Sequence, residues 1–270
     1  MKQLINSCLD GKVKYGCPLW DILRSKKALG DLNKMKPSLI KRVLQLPSST
    51  PSDAILYEFG IVDLAFDILM EKIILAVNVL SMDEDRVVKK LLSEMLPKNV
   101  KGFCSELNEA CEILSVSLED YVGDSEVRKK LKDKLVEIQK VELYKRMVVS
   151  SKMDNVLLNG FKFDGKVSPY LLELDFHHAR AVFMIRFRMM PTKCNFPSRW
   201  NGLLCNVCNF EDSDAHLFTC PGFQDLVTED VWYEMFWDEN VLKDAVRLKK
   251  AACILLLIID RLEVIQGSFT

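Results

Sequence analysis

The stretch from Cys205 to Cys220 holds the chain's most compact set of residues that could do chemistry. It reads CNVCNFEDSDAHLFTC, which places Cys205, Cys208, His216 and Cys220 in a C-x2-C-x7-H-x3-C pattern. Two thiolates with two residues between them reach one cation from a tight turn, and a His and a Cys four apart share one face of a helix. Four such ligands close a tetrahedral site, so the pattern predicts a structural zinc ion rather than a catalytic one.

A second interpretation of these residues stays open. Free cysteines are commonly buried, so the four side chains could be small core residues of an intracellular protein that meet without a metal. The spacing favours the metal site, because buried cysteines seldom repeat at ligand spacing. Cys194 is left out of the predicted site, since its distance from Cys205 along the chain fits no tight turn.

Composition limits the class of protein. A chain of 270 residues with 49% hydrophobic content can bury a sizeable core, and a net charge of -1 gives no whole-chain argument for nucleic-acid binding. Nine cysteines are an odd number, and the first residues lack the layout of a secretory signal, which predicts an intracellular protein of the nucleus or cytoplasm. The apolar runs are shorter than the ~20 residues that cross a bilayer, so no membrane partner is expected.

Hydrophobic periodicity predicts an all-α protein with one small zinc knuckle and a helical carboxyl-terminal tail. Asp63, Asp67 and Glu71 recur every four residues, which is typical of a solvated helix face rather than of paired catalytic acids. The adjacent His177 and His178 point in different directions and are interpreted as ordinary interface or surface histidines. One predicted helix begins at Pro37; the others cover 61–80, part of 83–100, 104–114, 126–147, 169–190 and, with a break near 238–240, 226–265.

Local basic surfaces carry the case for nucleic acid. The predicted helix 126–147 has eight basic residues against four acidic ones, a surface that could neutralise phosphates or could be an ordinary solvated face. The aromatic residues Trp200, Phe210 and Phe218 near the knuckle could stack on unpaired bases or simply pack around the metal.

Three segments, in this order, resemble the carboxyl-terminal part of non-LTR (LINE-type) retrotransposon reverse transcriptase polyproteins. The first, YGCPLW at 15–20, is similar to their YG-x-E-x-W segment, although Pro18 replaces the usual acidic residue. The second, LPSSTP at 46–51 followed by Ala54, Leu56, Glu58, Gly60 and Ile61, resembles their LP-x-STP-x-x-A-x-L-x-E-x-G-I stretch. The third pairs the arginine-bearing segment 180–188 with the CCHC cluster and Pro221.

The resemblance implies a thumb-like helical region at 1–80, a connector with a basic helix at 81–198, a CCHC knuckle at 199–223 and carboxyl-terminal helices at 224–270. It also implies contact with a retroelement's RNA or DNA. The bases that would neutralise its phosphates are Lys34, Lys36, Lys41, Arg42, Lys129, Lys130, Arg180, Arg186 and Arg188. The chain contains no tyrosine or phenylalanine that is followed by any one residue and then by two aspartates. Polymerase chemistry needs such carboxylates to hold two metal ions, so we expect no activity from the chain alone. The alternative function is a helical protein-interaction module with a structural zinc site and a protein partner.

Overall fold

The computed structural model describes residues 16–19, 25–200 and 202–266. Tyr15 and Trp20, the two ends of the first segment that resembles reverse transcriptases, lie outside the described residues. Helices dominate, and the pairing of extended chain within the described residues is a single antiparallel bridge between Leu204 and Glu211. The expected all-α class is therefore confirmed.

The α-helices described are, in chain order, α1 (Lys26–Val43), α2 (Ser52–Phe59), α3 (Leu64–Leu80), α4 (Val87–Met95), α5 (Phe103–Leu114), α6 (Val127–Met147), α7 (Asp154–Leu158), α8 (Tyr170–Glu173), α9 (Phe176–Arg186), α10 (Glu239–Lys243) and α11 (Ala245–Gln266). Short 3-10 turns lie between them at Cys17–Leu19, Glu119–Tyr121, Pro197–Arg199, Ala215–Phe218, Pro221–Phe223 and Tyr233–Trp237.

The chain forms two compact units. Unit 1 comprises Met1–Ile40, Gly60–Leu143 and Phe163–Gly165, and unit 2 comprises Lys41–Phe59, Tyr144–Lys162 and Lys166–Thr270. The units interleave along the chain, whereas the sequence prediction divides it into four consecutive segments.

Helix α3 is the centre of unit 1. Most of its circumference is apolar, and Ile68, Ile73 and Ala76 are fully buried against α4, α5 and the turn Cys17–Leu19. A helix that is apolar nearly all round is stable when it is enclosed by other elements. One charge lies inside this core: Lys72 is fully buried and donates to the carboxylate of Glu106.

The carboxylate stripe of α3 is not the solvated face that its spacing predicts. Asp67 accepts a hydrogen bond from Lys36 Nζ at 2.8 Å, and Glu71 Oε2 accepts one from Arg128 Nη2 at 2.9 Å. Asp63 is buried, and its backbone N–H donates to Gln139 Oε1 at 3.1 Å. The stripe therefore joins α3 to basic and polar side chains of α1 and α6, so the expectation of a water-facing stripe was wrong.

Unit 2 is built on the packing of α9 against α11. The buried residues of α9 include Val182, Phe183 and Ile185, and the apolar face of α11 includes Leu255 and Ile258. The turn Tyr233–Trp237 and helices α8 and α10 pack around this pair. The core of unit 2 also includes α2 from the amino-terminal part of the chain, with Ile55 and Phe59 buried.

Two predicted helix boundaries need correction. Pro37 lies inside α1 rather than in a first turn, because the helix already begins at Lys26, where Ser25 Oγ accepts from the Ala28 N–H at 3.2 Å. Lys34 and Lys36 therefore lie within this helix and not before it.

The predicted helix 169–190 is broken into two. Leu174 is extended, and the Asp175 carboxylate accepts from the His178 N–H and begins α9. The helix ends at Arg186, and Arg188 has a left-handed φ of 52°. The second helix is thus shorter than predicted, with a cap that the periodicity does not reveal.

No helix among the described residues is long and apolar enough to cross a membrane.

Candidate metal centre

The first two ligand candidates lie at the tip of a short hairpin. The bridge between Leu204 and Glu211 brings the two arms together, and the Cys205 N–H donates to the Phe210 carbonyl at 2.7 Å. The turn is closed by Asn209, whose φ of 60° is left-handed, a conformation that Asn tolerates better than most residues. This tight turn aims the sulfur atoms of Cys205 and Cys208 to one side.

The other two candidates lie on one helical turn. His216 belongs to the 3-10 turn Ala215–Phe218, and the Cys220 N–H donates to the His216 carbonyl at 2.8 Å. The chain then passes close beneath the hairpin, since a Cβ added at Gly222 would lie 3.3 Å from both methyl groups of Val207. The glycine permits this approach and keeps Cys220 beside the other donors.

The four donor atoms converge. The Cys220 sulfur lies 3.8 Å from the Cys205 sulfur and 3.8 Å from the Cys208 sulfur, and Cys208 Sγ lies 3.2 Å from His216 Nε2. All four atoms are within 4.8 Å of one another, a group that could bind a metal ion. A tetrahedral ion with metal–sulfur bonds of about 2.3 Å separates its sulfur ligands by about 3.8 Å. A disulfide would instead need about 2 Å, so the spacing fits metal ligands.

The segment that follows α9 holds the hairpin in place. Lys193 Nζ donates to the Leu204 carbonyl and to Asn206 Oδ1, both at 2.6 Å. The Lys193 N–H donates to the buried Asp212 carboxylate at 2.8 Å, and Asn195 Nδ2 donates to Asp214 Oδ1 at 2.6 Å. These contacts fasten the candidate centre to unit 2, and the spacing of the cysteines and histidine gives no sign of them.

Burial disfavours a thiolate at Cys220 in the absence of a positive charge. It raises the pKa of the Cys220 thiol to about 12, because a buried thiolate loses its hydration. Burial also raises the pKa of Asp214, two residues before His216, to about 7. A cation among the sulfur atoms reverses this effect on the thiols, since the opposite charge stabilises thiolates.

The three aromatic residues near the centre have different surroundings. Phe218 packs into unit 2, with its ring 6.0 Å from those of Tyr233 and Phe236, and Trp200 is half-buried. Phe210 is 69% exposed beside the His216 ring. Of these three, Phe210 therefore offers the most free surface to a ligand.

Two of the nine candidate phosphate-binding residues are buried. Arg186 is 4% exposed and binds Glu58 of α2, with 2.8 Å between Arg186 Nη2 and Glu58 Oε1. Lys36 is 5% exposed and binds Asp67. Their burial argues against the predicted phosphate contacts, because a bulky phosphate cannot reach a charge that is already enclosed and paired.

The other seven candidates reach the surface to different degrees. Lys34, Arg42, Lys129 and Lys130 are exposed, and Lys41, Arg180 and Arg188 are half-buried. Arg180 Nε donates to the Gln45 carbonyl at 3.3 Å, and Arg188 Nη1 donates to the Ser151 carbonyl at 3.3 Å. The predicted bases divide between the units: Lys34, Lys36, Lys129 and Lys130 belong to unit 1, and Lys41, Arg42, Arg180, Arg186 and Arg188 belong to unit 2.

A further group of side chains was missed by sequence reasoning. His178 contacts Asp175 through one ring nitrogen and Cys253 through the other. Asp175 could have been recognised as a helix cap three residues before His178. Cys253 lies 75 positions further along the chain, and no spacing rule connects it to the histidine.

Comparison with known proteins adds no assignment: no family model, no curated protein and no solved structure matches this chain.

Proposed function

We propose that the chain is a non-catalytic nucleic-acid-binding protein in which one structural zinc ion closes the hairpin of unit 2. The observation that carries the proposal is the convergence of the four donors, all within 4.8 Å of one another. Three thiolates and one imidazole are a ligand set typical of zinc. Four protein ligands also leave no open position for water or substrate, which favours a structural role.

The resemblance to the carboxyl-terminal part of non-LTR reverse transcriptases supports nucleic acid as the partner. Two of the resembling segments, the one that contains Glu58 and the one that contains Arg186, are joined by the ion pair between these residues. In this proposal the chain is the catalytically inactive portion of such a polymerase, and the buried pair joins α2 to α9 within unit 2.

Exposed bases on α6 are the best-placed phosphate ligands. The Lys129 and Lys130 side chains are 71% and 55% exposed, and their partners are Glu126 at 3.8 Å and Asp124 at 2.6 Å. Ion pairs as exposed as these are weak, because water and salt screen them. A phosphate can therefore replace the carboxylates. Unit 2 offers a separate contact, the exposed Phe210 ring, on which an unpaired base can stack.

The test measures the affinity of the zinc-loaded chain for a fluorescent single-stranded RNA at several salt concentrations. Replacement of Lys129 and Lys130 by Gln should weaken binding and reduce the salt slope by about 0.7 for each phosphate that is no longer neutralised. Phe210→Ala should weaken binding by about 1 kcal/mol or more if a base stacks on the ring.

Lys249→Gln is the matched control, because this exposed lysine of α11 lies outside the predicted set. It should leave the affinity and the salt slope nearly unchanged. Absence of RNA binding by the unmodified chain at low salt would remove the nucleic-acid part of the proposal and leave the zinc site to be judged separately.

One observation favours the second candidate, a helical protein-interaction module with the same zinc site. Unit 1 has an apolar cavity of about 280 Å³, with exposed walls at Leu19, Val88 and Leu91. Such a groove accepts the apolar stripe of an amphipathic partner helix. A chain that holds zinc but binds no RNA at low salt would make this candidate the better one.

A further inference from the structure

Cys253, His178 and Asp175 form a linear arrangement of thiol, imidazole and carboxylate in unit 2. His178 Nε2 lies 3.1 Å from the sulfur of Cys253, and His178 Nδ1 lies 2.5 Å from Asp175 Oδ2. The thiol and the carboxylate contact opposite nitrogens of one ring, so they cannot bind one metal ion together. The arrangement is instead the one in which a carboxylate orients an imidazole to take a proton from a nucleophile.

The surrounding helices fix this arrangement. The second oxygen of Asp175, Oδ1, accepts from the His178 N–H at 3.2 Å at the start of α9, and Cys253 lies on α11, which packs against α9. With the Nδ1 proton directed at Asp175, Nε2 presents its lone pair to the thiol. The base and the nucleophile are thus positioned before any reagent arrives.

Cys253 differs from the other described cysteines outside the metal centre. It is exposed, whereas Cys17 and Cys104 are buried. Burial raises the pKa of the half-buried Cys111 to about 11. Burial and the neighbouring Glu211 raise the pKa of Cys194 to about 11. These environments suppress the thiolate, the nucleophilic form, while Cys253 combines access with an adjacent base.

We propose that Cys253 is a reactive thiol that forms a reversible mixed disulfide with low-molecular-weight disulfides such as glutathione disulfide. The Cys253 sulfur attacks one sulfur of the disulfide while His178 Nε2 accepts its proton. A new sulfur–sulfur bond forms, the old one breaks, and the leaving thiolate takes the proton from His178. Cys253 is oxidised and the released sulfur is reduced, so no further oxidant is needed.

The reaction suits an open surface position. Thiol–disulfide exchange passes its charge between sulfur atoms, so it needs no hydrogen-bond donors to stabilise an oxyanion, unlike acyl transfer. The exposed thiol on α11 can be approached directly by a small disulfide. The modification would add the bulk and charge of glutathione to the outer surface of α11.

The test exposes the full, zinc-loaded chain to glutathione disulfide at pH 7 and follows each cysteine by peptide mass spectrometry. The comparison is between Cys253 and the other cysteines outside the metal centre. Cys253 should acquire the adduct first, and His178→Gln should slow its modification by about tenfold, because the base that accepts the thiol proton is then lost. Asp175→Asn keeps a residue that can cap α9 and should also slow the reaction.

His177→Gln is the matched control, since this neighbouring histidine makes an edge contact with Phe176 and should leave the rate unchanged. Circular dichroism checks that each variant is folded. If His178→Gln does not fold, the reaction rate of Asp175→Asn tests the proposal instead. Modification of Cys253 no faster than that of Cys194, or an unchanged rate in the folded variants, would overturn the proposal.

Discussion

Two basic residues that sequence alone would place at the surface, Arg186 and Lys72, are buried in the core and paired with carboxylates. Arg186 belongs to a segment whose arginines suggest phosphate binding, yet its guanidinium group lies against Glu58, the Phe236 carbonyl and the Tyr170 ring. Lys72 is enclosed in the same way, because it pairs with Glu106 in the core that surrounds α3. Each partner of such a pair depends on the other, because removal of one leaves the other as an uncompensated buried charge.

Replacement of Arg186 by Met should therefore destabilise the protein rather than weaken RNA binding selectively. It leaves the fully buried Glu58 carboxylate without its counter-charge, and breaking a buried pair costs about 3–5 kcal/mol. Chemical denaturation monitored by circular dichroism measures the loss in the free energy of unfolding.

The double variant Arg186→Met with Glu58→Leu should recover much of that loss, because no uncompensated charge remains. Arg188→Met is the comparison at the surface, where the side chain is 34% exposed and 3.9 Å from Asp154. Its cost should be below about 1 kcal/mol. A stability of Arg186→Met equal to that of the unmodified chain would contradict the structural role.

Helices with a long apolar stripe were predictable from the sequence. The segment 126–147 is helix α6, and 61–80 contains α3, because twenty residues of regular periodicity leave few alternatives. The short helix α7 and the division of 169–190 into α8 and α9 were missed. Asp175 caps and begins a new helix inside a stretch whose apolar periodicity continues without a break.

The loop Phe163–Gly165 packs closely against α6 in unit 1, and Gly165 permits this contact. Gly165 has a φ of +71°, and a Cβ added there would lie 2.8 Å from Val136 Cγ2 of α6. Gly165→Ala should cost about 2 kcal/mol or more, from backbone strain together with this clash. Thermal unfolding followed by calorimetry measures the effect.

Gly160→Ala is the matched control that measures the cost of backbone strain without a side-chain clash. Gly160 also has a positive φ, +93°, but a Cβ there meets nothing within 4 Å. Its cost should be limited to about 1–2 kcal/mol of left-handed strain. Equal losses in the two variants would mean that the contact with Val136 contributes nothing.

At the scale of the whole molecule, the two units should respond differently to loss of metal. The four candidate ligands belong to unit 2. In the segment after α9, Lys193 binds the hairpin at Leu204, and Asn195 binds Asp214 just before His216. The core around α3 in unit 1 contains none of these residues. Metal binding and local folding are coupled in small closed sites, so the effect should be regional.

Elemental analysis of the purified chain should find one zinc per molecule, and a chelator should accelerate amide exchange at 199–223 by about tenfold or more. Exchange in α3 and α5 should stay nearly constant. Cys208→Ser should lower the zinc content, whereas Cys194→Ser should not, because Cys194 contacts Glu211 outside the ligand set. Unchanged exchange at 199–223 after complete chelation would argue against a structural ion.

The sequence by itself determined the helical class and the candidate ligand set, because both depend on short, regular spacings between residues that are close along the chain. It did not determine which charges are enclosed, since burial depends on packing between distant segments: Glu58 meets Arg186, and Lys72 meets Glu106. The tertiary structure alone brought Cys253 to His178. Contacts across 75 residues follow from the packing of α9 on α11, and no local pattern encodes them.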